Sequence, residues 1–178
     1  MATSGQLAEW RTCPRCQSTL EHAGRSVRCP TCGLEEYANP VPTASALVRD
    51  DEGRILLARR SGEPGAGLWD LPGGFLDEGE EPLAALRREL REETGLEAEP
   101  GAFLGGIPDR YGDDGNWTVN FYWEASLEEG EPRPADDVAE LAWFPADRLP
   151  PRREFAFANT VEILERNGAV LVEEGSAK

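Results

Sequence analysis

Gly74-Phe75-Leu76-Asp77-Glu78-Gly79-Glu80, followed by Arg88-Glu89-Leu90-Arg91-Glu92-Glu93-Thr94-Gly95-Leu96, is the stretch that decides how this chain is read. Pro82 starts a helix well, because its missing N–H costs nothing in a first turn. Gly95 is placed to cap that helix after Thr94. At about 100° per residue, Glu92 lies about 60° to one side of Glu89 and Glu93 about 40° to the other. Three carboxylates therefore share one narrow face. Leu83, Leu86 and Leu90 fall on a separate stripe about 95° away, the face expected to pack on a sheet. The acidic face thus borders the core edge.

Such a face is either a solvated surface or a metal site. Arg88 and Glu92 form an (i, i+4) pair worth about 0.2–0.5 kcal/mol, which favours the solvated reading. Glu89 and Glu93 are a like-charge pair at the same spacing. If shielded, carboxylates about 4 Å apart repel by roughly 4 kcal/mol at an effective dielectric near 20. A hard divalent cation removes that repulsion, and carboxylates, water and phosphate oxygens are the ligands magnesium prefers. The Gly73-Gly74 turn lets the backbone approach a ligand closely and offers a carbonyl as a further oxygen ligand. We read the face as a metal site.

Working outward, Thr43–Val48 and Arg54–Ala58 read as strands, with Asp50-Asp51-Glu52-Gly53 turning between them into a hairpin. Ala98–Ile107, Trp117–Ala125 and Val138–Phe144 read as further strands, and Phe155–Asn167 as a closing helix ended by Gly168. The interleaving predicts an α/β sandwich with a mixed sheet covered by helices. Tyr37-Ala38-Asn39-Pro40-Val41-Pro42 reads as an extended linker, since each proline pushes its predecessor out of the helical region. The expected organisation is a small unit over 1–36, a linker over 37–42, the α/β domain over 43–170 and a flexible tail over 171–178.

The 178 residues are 39% hydrophobic and carry a formal net charge of -16. The composition suits a globular protein. A grip on duplex nucleic acid would need a basic face, so bulk charge argues against nucleic acid as the main partner. It does not argue against a small phosphorylated substrate, because bound cations reverse the local field. No stretch approaches the roughly 18 apolar residues of a membrane helix, and Met1–Gln6 carries no signal-peptide pattern. The expectation is a cytoplasmic protein without a membrane partner.

Cys13-Pro14-Arg15-Cys16 and Cys29-Pro30-Thr31-Cys32 form two CxxC knuckles, and no other cysteine is present. Four thiolates are a tetrahedral set for Zn2+. About 25 residues cannot bury enough apolar surface to fold alone, so zinc would hold this ribbon together. Paired disulfides are the rival, disfavoured in a reducing compartment. The zinc is expected to be structural. His22, the only histidine, is expected to be a loop residue outside the metal shell. With no cysteine or histidine elsewhere, Ser-His-Asp and Cys-His chemistry are nearly excluded for the main domain.

The pattern G-x5-E-x7-R-E-U-x-E-E-x-G-U, with U bulky and aliphatic, is met by Gly74, Glu80, Arg88, Glu89, Leu90, Glu92, Glu93, Gly95 and Leu96. In this the chain resembles the Nudix hydrolase family. Gly67-Leu68-Trp69-Asp70-Leu71-Pro72-Gly73-Gly74 looks like the usual lead into that box, and Asp137 to Phe144 like its late acidic-then-aromatic segment. The cysteine ribbon followed by Tyr37-x-Asn39-Pro40 resembles the zinc-ribbon branch, whose members include ADP-ribose, FAD and NADH pyrophosphatases. The resemblance implies that Glu89, Glu92 and Glu93 bind catalytic Mg2+ or Mn2+ with the Gly74 carbonyl, and that Glu80 and Arg88 support the site. It implies a further metal-binding or base-like acid at Asp137, where Glu is more usual; Glu140 is a second candidate. The implied reaction is attack of water on one phosphorus of a diphosphate, assisted by metal.

The resemblance to the ADP-ribose/FAD type rests on Arg148-Leu149-Pro150 through Phe155-Ala156-Phe157. NADH pyrophosphatases carry a Ser-Gln-Pro-Trp-Pro-Phe run after the box, and Gly105-Gly106-Ile107-Pro108-Asp109-Arg110-Tyr111 departs from it. Arg59, Arg60 and Arg110 are candidates to hold phosphates, and Trp69, Tyr111 and Trp117 to stack a base; core packing and surface ion pairs are the competing roles. NADH pyrophosphatase, nucleoside-triphosphate pyrophosphohydrolase and a non-enzymatic nucleotide sensor stand as alternatives, although such sensors commonly lose box carboxylates. The family also implies a homodimer.

Overall fold

A computed structural model describes residues 5–112 and 115–173. Strands β1 (Glu21–Ala23), β2 (Ser26–Arg28) and β3 (Glu35–Tyr37) form a small antiparallel sheet. The α/β domain follows: β4 (Val41–Val48), β5 (Ile55–Arg60), β6 (Trp69–Asp70), β7 (Gly73–Phe75), α1 (Pro82–Thr94), β8 (Ala98–Arg110), β9 (Trp117–Leu127), β10 (Val138–Phe144) and α2 (Ala158–Arg166). One sheet runs β7-β4-β9-β8 and the other β10-β5-β6. The first is mixed, because β4 pairs parallel with β9 and antiparallel with β7.

Strand alternation separates two cores. Ala44, Ala46 and Val48 of β4 and Leu56 of β5 pack with Leu86 and Leu90 of α1. Leu47, Ile55 and Leu57 turn the other way, toward Val161, Ile163 and Leu164 of α2. The two helices therefore cover opposite faces, the expected α/β/α sandwich. No helix among the described residues is long and apolar enough to cross a membrane.

Helix α1 has the expected bounds. Gly95 sits at φ 75° and donates its N–H to Arg91 O, closing the last turn. Its buried stripe differs from the predicted one: Leu86 and Leu90 are fully buried, but Leu83 is exposed and Glu93 is buried in its place. Glu93 follows Leu86 by seven residues, nearly two whole turns, so it comes round to the sheet-facing side.

The hairpin expected from β4 and β5 reduces to its turn. Asp50 Oδ1 accepts the Glu52 and Arg54 N–H groups, and Arg49 bridges Ile55. Beyond that the strands part into different sheets. Both edges of β4 are taken by β7 and β9, and both edges of β5 by β10 and β6. The closing helix begins at Ala158, not Phe155. Residue 155 is extended and bridges Trp69, and the Ala156 N–H donates to Trp69 O at 2.9 Å. Of the residues read as a tail, Leu171 bridges Leu149 and the Val172 N–H donates to Leu149 O, while 174–178 lie outside the described residues. In the stretch read as a linker, Tyr37 ends β3 and Val41 begins β4.

Candidate active site

The carboxylate helix meets the sheet at its edge strand. Gly73 and Gly74 of β7 pair with Ser45 and Ala44 of β4. The Gly73 N–H donates to Glu93 Oε2 at 2.8 Å, tying the turn to the last turn of α1. The Glu89 carboxylate rests against Gly74, where a Cβ would stand 2.5 Å from it. Burial pushes the Glu93 carboxyl well above its ordinary range; the Gly73 N–H opposes this, and the charges of Glu89, Asp137 and Asp70 add to it. Burial also raises Glu89, with Arg88 opposing and Glu92 and Asp137 adding. Arg88 is the cation that opposes this at Glu89, in a field otherwise set by carboxylates.

Arg88 organises the approach. Its Nε and Nη2 fork onto Glu80 at 2.9 and 2.8 Å, Nη2 also reaches Phe75 O at 3.0 Å, and Nη1 donates to Glu89 and Glu92 at 2.8 and 3.1 Å. That fork, with the Asp77 N–H, holds Glu80 down at about 2. Glu80 and Arg88 hence fasten the loop between β7 and α1 to the helix.

A cleft of about 270 Å³ opens beside this edge. Glu89, Gly73, Gly74, Asp77, Arg88 and Asp137 line one end. Thr43, Thr118, Asn120, Tyr122, Asn159 and Thr160 make a polar floor. Asp70, deep in the cleft, accepts hydrogen bonds from the Thr160 hydroxyl and the Leu71 N–H. Desolvation raises its carboxyl to about 6, against those hydrogen bonds. Across the cleft Tyr111 and Phe157 stack at 5.6 Å, and Arg60 lies over both rings and donates to the Tyr111 hydroxyl at 2.9 Å.

Of the candidate substrate contacts, Arg110 and Tyr111 line the cleft. Arg59 and Trp69 do not. Trp69 is buried in the core against Phe144, and Arg59 covers its ring at 4.3 Å while pairing with Glu140 at 2.9 Å. Glu140 is thereby engaged on the surface of β10. Trp117 is exposed beneath the Arg110 guanidinium, outside the cleft lining. Glu92 turns outward to Arg88, and Glu93 stands behind Gly73. Phe157, Asp70, Asp109, Asn159 and Thr160 were not singled out from sequence. Asp70 lies on β6, Asp109 on β8, and Phe157, Asn159 and Thr160 at the start of α2, so only the packing of these separated elements brings them to one cleft.

The cleft is lined by six acidic residues (Asp70, Asp77, Glu89, Asp109, Asp136, Asp137) against three arginines. A polyphosphate would be repelled from it unless cations came too. The box carboxylates are not gathered into a closed cage: among the described residues only the four cysteines bring three or more such ligand atoms within 4.8 Å of one another. Open spacing leaves room for water and phosphate oxygens around a hard cation, as magnesium requires. The donor set fits.

The cysteine cluster has a different character. Cys13 Sγ and Cys32 Sγ are 3.6 Å apart, and Cys16 and Cys29 3.5 Å, far beyond a disulfide of about 2.05 Å. Tetrahedral zinc–sulfur bonds of about 2.3 Å place thiolates just under 4 Å apart, so this set fits Zn2+. Gln17 and Gly33, each four residues after the first cysteine of its knuckle, take left-handed backbone and donate to the carbonyls of Cys13 and Cys29. Hydrogen bonding with Ser18 pulls Cys16 down to about 6. Although the Leu34 backbone favours its thiolate, burial and the neighbouring sulfurs push Cys32 up to about 12. His22 lies on β1 rather than in a loop, with Nε2 2.8 Å from Trp10 O, outside the sulfur cluster.

Residues 39–164 match the family model of the NUDIX domain. The chain belongs to the Nudix family, and it is an enzyme, a hydrolase of that family. A Mycobacterium tuberculosis protein provisionally named 8-oxo-dGTP diphosphatase 2 is 39% identical over 125 residues, covering 62% of this chain and 84% of that one. The ADP-ribose pyrophosphatase of Methanocaldococcus jannaschii is 33% identical over 116 residues, covering 64% and 67%. The NAD-capped RNA hydrolase NudC of Stutzerimonas stutzeri is 30% identical over 154 residues, covering 82% of this chain, which spans about half (53%) of that relative's length. Among solved structures, a NUDIX hydrolase from Nitrosomonas europaea shares the fold, with a TM-score of 0.72 at 20% identity over 92% of this chain and 97% of that one.

Proposed function

We propose that this enzyme hydrolyses the diphosphate bond of a nucleoside-diphosphate derivative of the ADP-ribose or FAD kind, releasing a nucleoside monophosphate. The observation that carries the reading is the Glu89 carboxylate pressed against Gly74 in an acidic cleft, with Glu92 and Asp137 adding negative charge. Magnesium or manganese held there by Glu89, Glu92, Glu93 and the Gly74 carbonyl would polarise phosphoryl oxygens and stabilise the leaving phosphate.

The chain's own groups do the rest. Arg88 holds Glu89 and Glu92 in one orientation, and Glu80 holds Arg88. A carboxylate facing the cleft, Asp137 or Glu89, accepts the proton of the attacking water. The new water-oxygen bond to phosphorus forms as the bridging oxygen departs with the other phosphate. Arg60 and Arg110 line the cleft with cationic groups suited to phosphate oxygens. The ADP-ribose pyrophosphatase relative supports this substrate class. Zn2+ at the cysteines has a structural part in the ribbon over 1–36.

A substrate panel run first in magnesium and then in manganese tests the reading, with ADP-ribose, FAD, NADH, dinucleoside polyphosphates and nucleoside triphosphates. AMP released with ribose 5-phosphate or FMN supports it. Pyrophosphate released from triphosphates alone overturns it in favour of the activity in the mycobacterial relative's name. Preference for NADH would favour the dinucleotide reading.

A further inference from the structure

We propose that a second cavity, lined by Asp109, Arg110, Gly112, Ala156, Phe157 and Ala158, takes the nucleobase end of a two-ended diphosphate substrate; this rests on the activity proposed above. The cavity measures about 250 Å³ and shares Asp109, Arg110 and Phe157 with the catalytic cleft. The two are lobes of one groove.

Size favours a second lobe. Small-molecule sites occupy roughly 300–1,000 Å³. The catalytic lobe, at about 270 Å³, lies at the lower edge of that range, and the two lobes together lie well inside it. A nucleoside joined through a diphosphate to a second group has two ends to accommodate, with the scissile bond between them beside Glu89.

The chemistry of the lobes differs. The inner floor is built from the hydroxyls of Thr43, Thr118, Tyr122 and Thr160 and the amides of Asn120 and Asn159. In this network Thr43 donates to Asn120 and Thr160 to Asp70, and the remaining lone pairs and N–H groups are of the kind a sugar hydroxyl pairs with. In the outer lobe Gly112, Ala156 and Ala158 put nothing larger than a methyl group into the space, leaving it open beside the Phe157 ring that both lobes share. The Arg110 guanidinium, planar and already lying over Trp117 at 5.2 Å, forms another wall. Flat walls of small residues, an aromatic ring and a guanidinium suit a planar base.

Ala158 is the position at which to fill this lobe. It is exposed at the start of α2. Gly112 has φ +84° with Pro64 close by, and Ala156 stands against Gly65, so changes there would disturb the backbone.

The experiment is titration calorimetry of the whole protein in magnesium with AMP and ribose 5-phosphate, singly and together, on wild type and Ala158→Phe, with thermal melts to confirm folding. Ala158→Leu carries the same test should the phenylalanine variant fail to fold. We expect wild type to bind the two halves without mutual displacement. The variant should lose about tenfold in AMP affinity, keep its affinity for ribose 5-phosphate and raise KM for ADP-ribose more than it lowers kcat. Unchanged AMP affinity in a folded variant that still cleaves ADP-ribose overturns the second lobe alone. Loss of ribose 5-phosphate affinity instead overturns the assignment of the base to it. A wild type that cleaves only nucleoside triphosphates and binds neither half overturns the parent reading, and this inference with it.

Discussion

A Cβ added to Gly74 would stand 2.5 Å from the carboxylate of Glu89, whereas one added to Gly73 would stand 2.3 Å from the carbonyl oxygen of Ala44. The two adjacent glycines thus guard different things. Gly74 keeps room for a side chain that can swing away. Gly73, at φ +140°, keeps room for backbone that cannot.

The corresponding alanine variants should separate activity from stability. Gly74→Ala should melt within a few degrees of wild type and lose roughly 10–100-fold in kcat/KM, the usual scale for disturbing a metal site's supports. Gly73→Ala should lose about 2 kcal/mol or more of stability, through positive-φ strain and the clash with β4. Denaturant midpoints and rates on one preparation check both. Equal stability of the two variants would count against the assignment.

Glu93→Gln should leave the fold intact and reduce turnover by orders of magnitude. The carboxyl is buried and its charged form disfavoured, so a neutral isostere relieves the apo-protein. Lewis-acid stabilisation supplies several kcal/mol to such reactions, and each 1.36 kcal/mol is about tenfold in rate. A variant with near wild-type turnover would remove Glu93 from the metal site.

Arg88→Lys should not substitute for the arginine. An ammonium cannot reproduce the two-nitrogen fork on Glu80 while also reaching Phe75 O, Glu89 and Glu92. We expect a loss of about 1–3 kcal/mol from leaving shielded partners unsatisfied, together with weaker magnesium affinity. Urea unfolding and metal titration measure the two effects.

Asp70 makes stability pH-dependent in a direction opposite to that of Glu80. Its folded carboxyl lies at about 6, above the ordinary 3.8, so the folded state binds the proton more tightly than the unfolded chain does. Its contribution is therefore fully present below about pH 4 and is lost as pH rises through about 6. Asp70→Asn, which keeps an acceptor for Thr160 and Leu71, should gain on wild type with rising pH, by at most about 3 kcal/mol at pH 7.5. Melts of both proteins across pH 4–8, without metal, would show the gap widen. A constant gap would refute it.

Cys29→Ser should release zinc and loosen the ribbon while the α/β domain stays folded. The ribbon's own core is Leu7, Cys13, Leu20, Val27, Cys29 and Leu34, two of them cysteines, so it has little apolar support without metal. Metal analysis and limited proteolysis of residues 1–36 report the change. Unchanged zinc content would exclude the four-thiolate site.

What could be read before folding was whatever depends on neighbours in sequence. The bounds of α1, its carboxylate face, the paired cysteines and the turn at Asp50–Gly53 all follow from spacing within about twenty residues, because helix periodicity and turn chemistry act over that range. The tertiary structure alone decided which strand edges were already taken, and so parted β4 from β5. It sent Trp69 into the core and brought Tyr111 and Phe157 face to face from 46 positions apart. It also set Asp70 against Thr160 in a common floor. Such contacts arise from the packing of whole elements, and side-chain burial is a property of that packing that no local stretch of chain encodes by itself.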